Sequence, residues 1–174
     1  MGSDDPLNAL SEYQRFYLNL GSAISQWQDV EIGLLDVFHK VSASRSRHVS
    51  SAIYFAVISF ETKMDMTNAA ASVALGDTQY FGGWVKLLGR VSANQGIRNK
   101  LAHFSMTLNP LKNVKAKYRV FLAPNVVNPM LPINDSDREP TVYNLEQVKD
   151  FGVAFAKLGG DLTSFAESLP EPKA

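Results

Sequence analysis

Apolar residues recur at every third or fourth position through most of this chain, and a chain patterned in that way folds as amphipathic helices around a shared core. From about Leu7 to Val41 the stripe is Phe16, Leu20, Ala23, Trp27, Val30, Leu34, Val37, Phe38 and Val41, one face of a long helix. Gly21 and Gly33 each weaken a helix interior by roughly 1 kcal/mol relative to Ala, so they mark close packing or a bend near Gly21. A polar stretch, Ser42 to Ser46, interrupts the pattern before Val49, Ile53, Ala56, Val57, Phe60, Met64 and Ala71 resume it as a second helix. Gly76-Asp77-Thr78 reads as a stop followed by an N-cap, and Phe81, Trp84, Leu87, Leu88 and Val91 carry a third helix. At Asn94-Gln95-Gly96 this helix either runs on or ends and restarts before Ile97; the residues leave both open.

The character changes after His103. Phe104 to Leu108 and Lys117 to Leu122 favour extended backbone, with Asn109-Pro110 between them, which predicts a short hairpin or two extended arms. Residues 124–140 hold four of the eight prolines, interleaved with Asn and Asp, and have the composition of a loop. Asn144 with Gln147 three residues on resembles a capping box, and Leu145, Val148, Phe151, Phe155, Leu158, Leu162 and Phe165 define a last helix, with Gly159-Gly160 a candidate kink. The expected fold is all-α, an antiparallel four- or five-helix bundle with a short β-like insertion after the third long helix, formed by residues 7–169 as one domain. The 174 residues are enough to bury a core unaided, and 45% hydrophobic with 20% charged residues is the composition of an ordered globular chain.

Lys plus Arg and Asp plus Glu both total 17, so no bulk field draws in a polyanion or a membrane, and any nucleic-acid contact has to be local. The chain has no cysteine, which removes disulfides, thiolate zinc sites and cysteine nucleophiles and suits the cytoplasm. Its longest apolar run, Ala52 to Ile58, is far short of the roughly 20 residues that span a bilayer, so no membrane partner is expected. Met1 to Pro6 lacks the pattern of a secretory signal, and Gly2-Ser3 has the look of a cloning remnant; this segment is set apart from the fold. There is no G-x-x-x-x-G-K, G-x-G-x-x-G, H-E-x-x-H or G-x-S-x-G motif. His39 and His48 have no ligand-like neighbours at useful spacing, so neither a metal nor another cofactor is expected.

The cluster that stands out is Arg98, Asn99 and His103. On a helix Asn99 and His103, four apart, share a face, while Arg98 lies roughly 140° round from His103, a gap an arginine side chain closes. Continuing the stripe Trp84, Leu88, Val91 arrives at Arg98, which puts a guanidinium where the pattern asks for an apolar residue; a polar group there needs a partner. Glu31 is a candidate for that partner in a supporting role. If the helix instead restarts at Gly96, Arg98 and Asn99 fall in its first turn, where free N–H groups favour an anion. Lys100, Lys112, Lys115, Lys117 and Arg119, with Tyr118 among them, make a basic stretch suited either to an RNA backbone or to a solvated strand edge.

Arg98-Asn99-Lys100-Leu101-Ala102-His103 resembles the Arg-polar-x-x-x-His signature of HEPN domains. Trp27-x-x-Val30-Glu31-x-x-Leu34 on the first helix, Trp84-x-x-Leu87 ahead of the motif and a capped helix after it agree with that resemblance, which covers the chain from about Gln26 to Phe165. It implies a helical bundle that dimerises and brings two motifs together, in many members as a metal-independent endoribonuclease. Arg98 would then steady the charge of the reacting phosphate, His103 would move a proton from or to a ribose hydroxyl, and Asn99 would orient one of them. An imidazole, with a reference pKa near 6.5, suits acid–base work around neutrality, and a guanidinium offers a phosphate two fixed hydrogen bonds. The other reading is a non-catalytic helical interaction or regulatory module with a protein partner, in which Arg98 pairs with a carboxylate such as Glu31 and His103 only finishes the helix.

Overall fold

A computed structural model of the chain describes residues 11–108, 120–124 and 142–170, which form five helices and one two-stranded sheet. The helices are α1 (Glu12–Val41), α2 (Arg47–Ala56), α3 (Phe60–Leu75), α4 (Phe81–His103) and α5 (Leu145–Ser168). Strands β1 (Ser105–Leu108) and β2 (Val120–Ala123) pair antiparallel, with Ser105 opposite Ala123 and Leu108 opposite Val120. The fold is therefore all-α with a short β insertion after the long helix α4. Among the described residues no helix is long and apolar enough to cross a membrane.

The stripe read as one second helix, Val49 to Ala71, is two. Val57 is extended and ends α2, and Ser59, also extended, accepts the Thr62 N–H at 3.4 Å to start α3. A serine that caps a new helix, preceded by two β-branched residues, outweighs the continuity of the apolar spacing. Val49 and Ile53, expected in the core, are 53% and 49% exposed, and the buried residues of α2 are Ser50 and Tyr54. By contrast α1 runs unbroken through Gly21, α4 through Gly96 and α5 through Gly159-Gly160.

The chain packs as two compact units, and α1, α4 and α5 each contribute to both. The first unit takes the start of α1 up to Ser25 and the described parts of Gly96–Val153. Its buried side chains include Phe16, Leu101, Leu122 and Val148. The Val120 N–H donates to Glu12 Oε1 at 3.2 Å, and Tyr143 exchanges two backbone hydrogen bonds with Leu122, at 2.8 and 2.9 Å, on the free side of the hairpin. The Tyr143 ring stacks on Phe104 and meets Phe151 edge-on. The capping box forms as the sequence predicts: Asn144 N–H donates to Gln147 Oε1 and Gln147 N–H to Asn144 Oδ1, both at 2.9 Å.

The second unit takes Gln26–Gln95 and the chain from Ala154. Trp27 is buried against Phe60 and Phe155, and Trp84 stacks on Phe165 while its indole N–H donates to Asn68 Oδ1 at 3.0 Å. Both tryptophans are core anchors. Trp27 meets Phe60 and Glu31 meets Lys63, so α1 and α3 run the same way. Trp27 meets Phe155 and Gly33 meets Leu162, which gives α5 that direction too, whereas Trp84–Phe165 and Arg90–Asp161 set α4 against α5. Helix α1 touches α5 backbone to backbone. A Cβ on Gly33 would stand 2.7 Å from Leu162 Cβ and 2.8 Å from the Gly159 carbonyl oxygen, and one on Gly159 would stand 2.7 Å from the Asp29 carbonyl carbon. Among the described residues nothing lies within 4 Å of the corresponding point on Gly21.

Lys63 is a buried cation with three partners. Its ammonium is 3.2 Å from Glu31 Oε2 and lies over the rings of Tyr54 and Phe55, 5.0 and 5.1 Å from their centroids. The Tyr54 hydroxyl donates to the Glu31 carbonyl at 3.3 Å. Burial above all, and then the Glu31 charge, push the Tyr54 phenol well above its ordinary ionisation range.

Candidate functional site

Helix α4 reaches its last turn without a break, so Arg98 and Asn99 lie mid-helix with their backbone N–H groups already used. Of the two geometries left open by Gly96, the structure takes the continuous one. Any anion site here is made by side chains.

The core-facing stripe of α4 runs through Trp84, Leu87 and Val91, all buried, and continues to the buried Leu101. Arg98 stands two turns beyond Val91 on that stripe, half-buried, with its Nε shut away from solvent and without a hydrogen-bond partner among the described residues. Its Nη1 donates to Asn99 Oδ1 at 3.3 Å, which turns the guanidinium toward the flank of the helix that carries Asn99. His103 lies one turn beyond Asn99 on the same flank, exposed, as the last residue of α4. The Phe104 N–H to the Lys100 carbonyl, 2.9 Å, closes that last turn. The structure thus joins Arg98 directly to Asn99 and sets His103 next along the same face.

Among the described residues no carboxylate pairs with Arg98. Glu31, the candidate supporting residue, is held by Lys63 instead. A half-buried guanidinium with a closed Nε and no counter-charge carries a desolvation cost that no ion pair among the described residues offsets. Lys100 is exposed on α4; Lys112, Lys115, Lys117 and Arg119 lie outside the described residues. His39 sits in the last turn of α1 with Nδ1 3.1 Å from Ser50 Oγ, and His48 is exposed.

Arg15 belongs with this description although the sequence reading passed over it. It is a second half-buried guanidinium of the same unit, its Nε likewise closed and, among the described residues, unbonded. The signal was its place immediately before the fully buried Phe16, at the edge of the α1 stripe.

No family model, no curated protein and no solved structure matches the chain.

Proposed function

We propose that this chain is a HEPN-like RNA-processing domain, a metal-independent endoribonuclease acting as a homodimer with Arg98, Asn99 and His103 in its cleft. One observation carries the reading. Arg98 occupies a core-facing position, is oriented by Asn99 and has no carboxylate partner among the described residues, which is the condition of a cation kept for an external anion rather than for the fold. The motif's spacing and the exposure of His103 one turn along support it.

In the proposed reaction the 2′-hydroxyl of a ribose attacks the adjacent phosphorus, and His103 takes the proton that this oxygen loses. The 5′ oxygen of the following nucleotide leaves with a proton from the imidazole of a second copy. The products are a 2′,3′-cyclic phosphate and a 5′-hydroxyl. Arg98 offers its guanidinium to the phosphate oxygens as charge gathers on them, and the Asn99 side chain fixes the direction in which it points. Each copy supplies one Arg and one His, so association is part of the mechanism.

Arg98→Ala separates this reading from a purely structural one. A guanidinium that served the bundle would take a partner with it, and its loss would lower the melting temperature. Here the expected result is an unchanged or slightly raised melting temperature and an RNA affinity weaker by about 1.5–3 kcal/mol, the worth of a charge-assisted hydrogen bond. A destabilised variant with unaltered RNA binding would favour the interaction module.

A further inference from the structure

Helix α2 presents an apolar face to solvent. Ser50 and Tyr54 are its buried residues, while Val49, Ala52, Ile53 and Ala56, at the spacing of one helical stripe, are all exposed. Ile58, just past the helix, is 97% exposed. The two ends of this strip differ in charge. From Ser42 to Phe60 there is no acidic residue, and Arg45 and His48 are exposed at the start of α2, with Arg47 tied to Asp36. Past the other end, Glu61 and Asp65 are exposed in the first turns of α3.

A strip with the Arg45 cation at one end and carboxylates at the other is complementary to itself when turned round. A surface of one sign, such as an anionic bilayer or an acidic peptide, would attract one end and repel the other. We infer that α2 is a docking face for a second copy of this chain, paired antiparallel across a two-fold axis. Val49, Ala52, Ile53 and Ala56 meet the same residues of the other copy, and Arg45 and His48 face its Glu61 and Asp65. The small Ala52 and Ala56 let the two helices approach closely at the crossing. With only 10 residues, α2 is about 15 Å long, so this strip falls short of the roughly 800 Å² per partner of a stable interface. The dimer is accordingly weak and concentration-dependent, and its charged ends decide whether it forms. This inference stands apart from the RNA chemistry and survives its failure.

The test is sedimentation velocity on the full chain from micromolar to submillimolar concentration, with circular dichroism confirming that each variant folds. The wild type should associate more strongly with rising concentration than Ile53→Asp, which keeps only whatever association the α4 cleft supports; Val49→Asp serves the same purpose should Ile53→Asp fail to fold. Arg45→Glu and Glu61→Arg should each weaken association about tenfold or more, because each change strikes both symmetric contacts. The double variant Arg45→Glu/Glu61→Arg should restore it. Association that is the same in the wild type and in Ile53→Asp, or a double variant no better than the singles, would overturn the inference.

Discussion

Replacing Gly33 with alanine tests the packing of the second unit at its tightest point. The new methyl carbon would lie 2.7 Å from Leu162 Cβ and 2.8 Å from the Gly159 carbonyl oxygen, with the Thr163 nitrogen at 3.4 Å. Comfortable separations between carbons are about 3.5–4.0 Å, so α1 and α5 would have to part by close to 1 Å along their contact. The obstacles are a Cβ and a backbone oxygen on a helix, neither of which moves by changing rotamer. Overpacking of this kind costs about 1–3 kcal/mol, against which alanine returns about 1 kcal/mol of helix propensity. The expected balance is a loss of up to about 2 kcal/mol, or a melting temperature lower by up to about 8 °C in a domain of this size. Gly21→Ala on the same helix supplies the control. It gains the propensity with nothing among the described residues within 4 Å to strike, and its melting temperature should rise by about 2–4 °C. Thermal melts followed by far-ultraviolet circular dichroism, checked by urea titration, give both numbers. A Gly33→Ala variant as stable as Gly21→Ala would refute the backbone-to-backbone contact.

Three further outcomes follow from the fold. The unfolded chain releases the Tyr54 proton near pH 10 while burial and Glu31 hold it on the folded chain, so this contribution to stability is full below pH 10 and declines above it. Tyr54→Phe should flatten the fall in urea midpoint between about pH 10 and 11, and an unchanged slope would remove Tyr54 as its source. Ala43 holds a φ of 52°, a left-handed conformation that costs a side-chain-bearing residue about 1 kcal/mol, so Ala43→Gly should raise the urea midpoint rather than lower it. Asn144→Ala breaks the reciprocal cap of α5 and should destabilise the chain by about 1 kcal/mol in the same titration.

Much of the fold was legible because it rests on local signals. The α1 stripe, the Asn144–Gln147 cap and the extended segment after His103 each depend on residues close in sequence, and each appears in the structure where the residues place it. The split at Ser59 was misread because the apolar spacing continues across it by coincidence. On α2 the regular spacing reports an exposed face, since periodicity says which residues share a side and not what that side touches. Tyr143 pairing with Leu122 and the crossing of Gly33 with Gly159 depend on residues far apart in sequence, which no local window contains.

The candidate site was legible in a different sense. Arg98 stood out because it breaks the apolar stripe of α4, and the structure gives it Asn99 as a neighbour and, among the described residues, no carboxylate. The sequence pointed to Glu31 as a supporting carboxylate because it could not show that Lys63, thirty-two residues further on, takes that charge. Arg15 escaped notice because a single arginine beside a stripe is ordinary; only its closed Nε sets it apart.

The central claim is that Arg98 and His103 act on RNA, and cleavage without metal tests it most directly. Purified wild-type protein, His103→Ala and Arg98→Ala are each incubated with a structured and an unstructured RNA in excess chelator, and the product ends are identified. The account predicts that the wild type cuts and leaves 2′,3′-cyclic phosphate ends, while both variants keep their fold and lose the activity. Cleavage that persists in His103→Ala, or RNA left intact by the wild type at every salt concentration, would contradict it.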